Sequence, residues 1–181
     1  MILTSSNEDP DWGRNRSDSS LLSEAIRLLI IGAAHVGVIE DGSNDATLIG
    51  EAEKILNDSI NCFRTAGYAD YLVRGLLERA HFRRVRGCLR GERSEFYLAL
   101  QDLDRAEIEA DGRAMDLLYA DVLLQKAATY ISMLEGAVRS KKGGLLQRAN
   151  ECLNGAGELI DRLGYERRDR MLMELRSRLE P

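Results

Sequence analysis

Apolar residues recur every three or four positions along most of the chain, in runs that are separated by short polar breaks. Each run has the period of an amphipathic helix, and none shows the alternation that is typical of a strand. Glycine occurs in every break, where it commonly ends a helix. The pattern predicts an all-α fold of seven helices joined by short turns. The predicted helices cover approximately residues 20–39, 45–65, 69–87, 94–110, 114–135, 144–163 and 167–179.

The residues before the first run are polar and lack this period. Residues 1–19 are rich in Ser, Asp, Asn and Arg, so we predict a flexible tail there. Trp12 is an aromatic residue within this tail. We expect it to dock loosely on the body or to be disordered, and the alternative is a role as an interaction anchor. Residues 20–181 are long enough to form one domain with its own core.

The first six predicted helices form three successive pairs, and alanines recur at equivalent places in the first helices and in the second helices of these pairs. In the second helices, a leucine follows each of these alanines by four residues. The spacing is 47 residues, except for 50 residues between the last two second helices. We place the three extra residues in the predicted turn at Lys141–Gly144. The columns are Ala33, Ala80 and Ala127; Ala52, Ala99 and Ala149; and Leu56, Leu103 and Leu153. The spacing predicts repeats at about 20–66, 67–112 and 113–164, and a capping helix within 165–181.

Small residues at a helix contact let two helix axes approach closely, and large residues on either side pack around the contact. Each pair of helices then leaves one apolar face that the next pair has to cover. Stacking of such pairs produces an α-solenoid, so we expect three helix pairs in a row and a last helix that covers the end. Gly87 is expected to lie in the exit turn of the third helix.

The second helices carry the pattern A-x-x-x-L-x-x-A, at 99–106 and 149–156. This pattern resembles that of tetratricopeptide repeats, and the stretch 71–87 is similar to terminal repeats of large bacterial proteins of this family. The resemblance covers about residues 20–179. It implies a right-handed α–α superhelix that binds a peptide or a domain along the concave face of its first helices. The period of 47 residues, against about 34 in the family, and the missing repeat proline depart from the family's pattern.

The overall charge and the cysteines narrow the classes of function. The formal net charge of -5 disfavours nucleic acid as a partner. The three cysteines are far apart, which argues against a disulfide framework or a zinc site and favours a reducing, cytoplasmic setting. We expect no signal peptide, because the first residues turn polar too soon. The most apolar run, Leu28–Ile39, spans 12 residues where a membrane helix needs about 20, so we expect a buried helix and no membrane association.

Arginines cluster in and after the third predicted helix, within residues 74–93. Two interpretations of this cluster remain open. In the first, the arginines lie on a solvated face and pair with acidic residues of the following helices, such as Asp102 and Asp121. In the second, they bind an acidic protein or peptide. No aromatic residues alternate with them, which again disfavours nucleic acid.

No motif in the chain predicts catalysis, a metal site or a cofactor site. His35 and His81 are the only histidines, and neither belongs to a motif with a nucleophile and an orienting carboxylate. We expect His35 to be packed and hydrogen-bonded within its apolar run. No glycine-rich nucleotide loop is present. The predicted partner-binding residues are polar positions of the first helices: Arg74, Glu78, His81, Arg83, Arg84, Asp121 and Gln125.

These patterns predict a non-enzymatic scaffold module that binds a protein or a peptide. The arginine cluster would allow this partner to be acidic. Two alternatives stay open. In large bacterial proteins of the resembled family, such repeats often adjoin a signalling NTPase or an effector domain, so a ligand-sensing or regulatory segment is one alternative. The other is an assembly module, in which an exposed end of the array pairs two chains as a homodimer.

Overall fold

The computed structural model describes residues 11–135 and 139–179, with side chains for 20–135 and 142–179. Within these residues the protein is all-α and contains no strand. The helices are α1 Asp11–Glu40, α2 Ala46–Ala66, α3 Ala69–Arg90, α4 Arg93–Asp111, α5 Asp116–Glu135, α6 Arg139–Leu163 and α7 Asp169–Ser177, with a 3₁₀ turn at Glu166–Arg168 before α7. The prediction of an all-α class with seven helices is confirmed for the described part of the chain.

The helices pack as adjacent pairs: α1 with α2, α3 with α4, and α5 with α6. The first helices of the pairs also contact one another in order, because α1 touches α3, α3 touches α5, and α5 touches α7. Each of the second helices α2 and α4 touches the first helix of the next pair. Among the described residues, α2 does not contact α4, and α4 does not contact α6. The first helices therefore form one continuous row.

The turn from each pair to the next has the same geometry. One residue in each turn adopts a left-handed conformation, and the N–H of the following residue donates to the carbonyl five residues before it, at 3.2, 2.9 and 3.0 Å. This is the hydrogen-bonding pattern of a Schellman motif at a helix end. The left-handed residues are Gly67, Ala114 and Gly164, with φ of +74°, +51° and +61°. They are spaced by 47 and then 50 residues, as are the alanine columns of the second helices.

Polar contacts between successive pairs also follow this spacing. Arg79 of α3 donates from Nη1 to Oδ1 of Asn57 on α2 at 2.6 Å. Lys126 of α5, 47 residues later, binds Oδ1 of Asp104 on α4 at 2.6 Å, and Asp104 lies 47 residues after Asn57. A basic residue of the first helix thus reaches the second helix of the preceding pair at the same place in both copies.

The core is formed by the alanine and leucine columns of the second helices and by the residues that pack on them. Ala52, Ala99 and Ala149 are completely buried. The first-helix column is less regular, because Ala33 is only half-buried. In the first pair the close contact is made by Gly32, where a Cβ atom would lie 2.7 Å from Cδ2 of Leu56. Gly32 is equivalent to Arg79 in the repeat, so this close contact is one that the predicted alanine column did not include.

The limits of two helices differ from the predicted ones. α1 begins at Asp11, so residues 11–19, which were expected to be part of a flexible tail, are helical. Residues 1–10 and the side chain of Trp12 lie outside the part of the chain that the structure describes. α6 begins at Arg139, so the turn predicted at Lys141–Gly144 is wrong and these residues are helical.

Gly87 lies inside α3 and not in its exit turn, where the sequence placed it. The turn residue is Gly91, which has a φ of +66°. Gly87 is buried, and a Cβ atom there would lie 3.0 and 3.1 Å from Cε1 and Cζ of Phe96. The glycine therefore lets the Phe96 ring of α4 approach the backbone of α3.

Much of the apolar surface of α1 is exposed. By length and composition, its stretch Ser20–Glu40 would suffice to cross a membrane, and it is the only described helix of which this is true. Only 22% of the 18-residue apolar window within this stretch is buried. Ile30 is 64% exposed and Val38 is 52% exposed, whereas their equivalents in α3, Leu77 and Val85, are buried. The expectation of a buried helix at Leu28–Ile39 is therefore met only in part, because no described pair precedes α1 to cover this face.

We expect Ala114→Gly to raise the free energy of unfolding by about 1 kcal/mol, because a side chain in the left-handed region costs about 1–2 kcal/mol. Urea denaturation measures the change. Ala34→Gly is the control, since Ala34 is an exposed alanine within α1 and glycine there should lower the stability by about 1 kcal/mol. A destabilised Ala114→Gly protein would contradict the shared turn geometry.

We expect Gly87→Ala to lower the free energy of unfolding by about 1 kcal/mol, since the overpacking cost of about 1–3 kcal/mol exceeds the gain in helix propensity. Gly50→Ala is the matched control, because Gly50 lies in α2 with no atom within 4 Å of its added Cβ. That change should stabilise the protein by about 0.5–1 kcal/mol. Equal stabilisation by both changes would show that Phe96 does not require a glycine at 87.

Candidate functional site

The row of first helices lines an open groove with a volume of about 290 Å³. Four of the seven predicted partner-binding residues lie together in its walls: Arg74, Glu78, Asp121 and Gln125. The remaining lining residues are mostly apolar. They are Leu29, Ile30 and Ala33 from α1, Leu77 from α3, Leu118 from α5, Arg168 from the 3₁₀ turn and Met171 from α7.

Equivalent positions of successive helices meet in this groove. Arg74 and Asp121 lie 47 residues apart, and Met171 follows Asp121 by 50 residues. Glu78 and Gln125 form a second such column. Because α3, α5 and α7 follow one another in the row, equivalent sides of these three helices face the groove, and α1 closes it at one end. The groove is therefore a product of the row of helices and not of a single pair.

The charged groups in the groove differ in how they are paired. Asp121 is bound by Arg168, whose Nε and Nη2 donate to its two carboxylate oxygens at 2.5 and 3.0 Å. This bidentate pair holds the segment after α6 against α5. Arg74 is exposed and Glu78 is half-buried, and neither side chain is hydrogen-bonded to another residue that the structure describes. In the described groove, Asp121 and Arg168 neutralise each other, whereas the charges of Arg74 and Glu78 have no hydrogen-bonded counterpart.

The carboxyl group of Glu78 is held in an environment that disfavours its charge. Burial raises the pKa of Glu78, because a carboxylate that loses water loses solvation energy. The charges of His81 and Arg168 act in the opposite direction and lower this pKa, whereas the Glu40 carboxylate raises it further. The net direction is upward, so the ionised form of Glu78 would gain from a further cation.

His81 lies beside the groove and not in its wall. Its Nε2 is 3.2 Å from Oε1 of Glu40, at the end of α1. Glu40 is the only hydrogen-bond partner of the ring among the described residues. Within the described chain, no group of three or more His, Cys, Asp or Glu residues comes together as a metal site would require.

Arg83 faces α4 and does not line the groove. Its Nη1 donates to Oδ2 of Asp102 at 2.7 Å and to the carbonyl of Leu98 at 3.0 Å. Arg79 binds the same carboxylate through Nε and Nη2, at 2.9 and 2.6 Å. Asp102 is buried, so removal of either arginine would weaken the compensation of a buried charge. Arg83 therefore pairs with a carboxylate of the next helix, as the first interpretation expected, but its side chain is only 15% exposed and does not lie on a solvated face.

Arg84 also lies outside the groove walls. Its Nε is buried and has no hydrogen-bond partner among the described residues. Burial lowers the pKa of Arg84, while the nearby Glu40 carboxylate raises it. Nδ1 of His35 is similarly buried without a partner, so the hydrogen bond expected for this histidine is not formed at Nδ1 by a described residue.

The sequence did not indicate the apolar walls of the groove or Arg168. A usable signal existed for one wall residue, because the repeat spacing leads from the predicted Asp121 to Met171. Arg168 had no such signal. Its contact with Asp121 depends on how the 3₁₀ turn directs the chain after α6, which no periodicity describes.

Comparison with known proteins adds no further constraint. No family model matches the chain, and neither the curated proteins nor the solved structures provide a match.

Proposed function

We propose that the protein is a non-enzymatic interaction module that binds a peptide segment of a partner protein in the groove of its first helices. In this proposal, the helix pairs form a right-handed, tetratricopeptide-like superhelix, and the groove lies on its concave face. The observation that carries the proposal is the lining of one groove by equivalent positions of α3, α5 and α7. Arrays of this kind commonly present such a surface to a partner.

The dimensions and lining of the groove favour a peptide over a whole domain. Its volume of about 290 Å³ lies near the lower end of the range for ligand pockets, about 300–1,000 Å³. That space accommodates a few side chains. Apolar walls with a small number of polar groups are the usual composition of a binding pocket, in which the polar groups set the orientation of the ligand.

We expect Gln125→Trp to block the groove, because a larger side chain at this half-buried position takes the space of the ligand. Peptides are first selected with the wild-type protein from a displayed random library, and their affinities are then measured by fluorescence anisotropy. Gln125→Trp should weaken binding by about tenfold or more.

Gln101→Trp is the matched control, because Gln101 is exposed on α4 and lies outside the groove. Its affinity for the selected peptides should equal that of the wild type. A wild-type protein that selects no peptide, or two variants that bind alike, would contradict the proposed site.

A second candidate function is self-association through α1. The observation in its favour is the exposure of Ile30 and Val38 at positions whose equivalents in α3 are buried. Val85 of α3 belongs to the same core cluster as Val36 and Ile39 of α1, so the first pair covers it. In a symmetric dimer, the α1 helices of two copies would cover each other in the same way.

We expect Val38→Glu to abolish self-association, because a charge at the centre of an apolar contact would be buried without a partner. Light scattering at several protein concentrations gives the measurement. Ile108→Glu is the control, since Ile108 is 73% exposed on α4, away from α1. The mass of the wild type and of the control should rise toward that of a dimer. A wild-type monomer at every concentration would rule out this candidate.

A further inference from the structure

We infer that the groove recognises a basic side chain flanked by apolar residues, so that an ammonium or guanidinium group of the bound peptide pairs with Glu78. This inference rests on the proposed function and specifies its ligand. It differs from the acidic partner that the arginine cluster suggests, because it follows from which charges in the folded protein already have partners.

The two carboxylates of the groove walls are in different states. Asp121 accepts two hydrogen bonds from Arg168, so its charge is compensated. Glu78 accepts none from the residues that the structure describes, although it is half-buried. The charges of His81 and Arg168 offset part of the desolvation cost of this carboxylate, but no described residue donates a hydrogen bond to it. A cation of the ligand would supply charge-assisted hydrogen bonds at this position.

Three of the six arginines of α3 are committed to carboxylates of the protein itself. Arg79 and Arg83 bind Asp102, and Arg86 binds Glu53 and Glu95. Arg74 is the arginine of the groove walls that is not hydrogen-bonded to a described residue. It is exposed, so water already solvates it and an added ion pair would contribute little. Charge complementarity in the groove therefore favours a basic ligand at Glu78 over an acidic one at Arg74.

The surroundings of Glu78 favour apolar neighbours on either side of the cation. Leu77 precedes Glu78 on α3 and lines the same groove, and α1 contributes Leu29 and Ile30. Ile30 is 64% exposed, so an apolar side chain of the ligand would remove a large aliphatic surface from water. Lysine and arginine also have aliphatic stems that can lie along such walls while the charged end reaches a carboxylate.

The test is a selection from a displayed random peptide library with three baits: the wild type, Glu78→Gln and Glu51→Gln. Glu51 is exposed on α2, outside the groove, so Glu51→Gln controls for the loss of one negative charge. We expect lysine or arginine next to apolar residues to be enriched with the wild type and with Glu51→Gln, and this enrichment to be absent with Glu78→Gln. A selected peptide should bind Glu78→Gln about tenfold more weakly.

Two further measurements make the result decisive. The melting temperature of Glu78→Gln should equal or exceed that of the wild type, because a disfavoured charge is removed. Replacement of the basic residue of the selected peptide by methionine should weaken its binding to the wild type but not to Glu78→Gln. Enrichment of acidic residues, or equal selection by all three baits, would overturn the inference and leave the proposed function standing. If no peptide is selected, or if Gln125→Trp binds every selected peptide, both the inference and the proposed function would be overturned.

Discussion

Each helix pair buries its own interior but leaves one apolar face open, and this face has to be covered by the next pair. The rest of the structure follows from that constraint. The turns that end at Gly67, Ala114 and Gly164 share one left-handed conformation and one hydrogen-bonding pattern. Each turn therefore directs the following first helix onto the preceding pair in a similar way. Where no described pair precedes the row, at α1, the apolar face stays exposed.

The groove is a consequence of the same packing. Because the first helices contact one another in order, their equivalent positions come to lie side by side, as Arg74, Asp121 and Met171 do. The charged residues of α3 are then divided between two tasks. Arg79 and Arg83 hold the buried Asp102 and so join α3 to α4, whereas Glu78 faces the groove without a hydrogen-bonding partner among the described residues. This division separates the residues that stabilise the fold from those that can meet a ligand.

Periodicity predicted the helices well, because the apolar stripe of each helix is a local property of the chain. Glycine was a correct turn signal at Gly67, Gly91 and Gly164, which end helices with positive φ, but it failed at two other places. Gly143 and Gly144 lie in α6, since adjacent glycines cost only about 1 kcal/mol each and packing of the helix can outweigh them. Gly87 serves the close approach of Phe96 and not a turn. The second case depends on a tertiary contact that a single sequence does not display.

The candidate site shows the same limit. The positions of Arg74, Glu78, Asp121 and Gln125 were predictable because the helical period and the repeat place them on one face. Arg83 could not be assigned in this way, since its contact with Asp102 depends on the direction of α4.

The most direct test of the account is a map of backbone amide chemical shifts on titration with a peptide selected by the wild-type protein. The account predicts that the largest shifts occur in α3 and α5, around Glu78 and Gln125, with smaller shifts in α1 and α7. Shifts confined to α2, α4 and α6 would show that the row of first helices is not the binding surface.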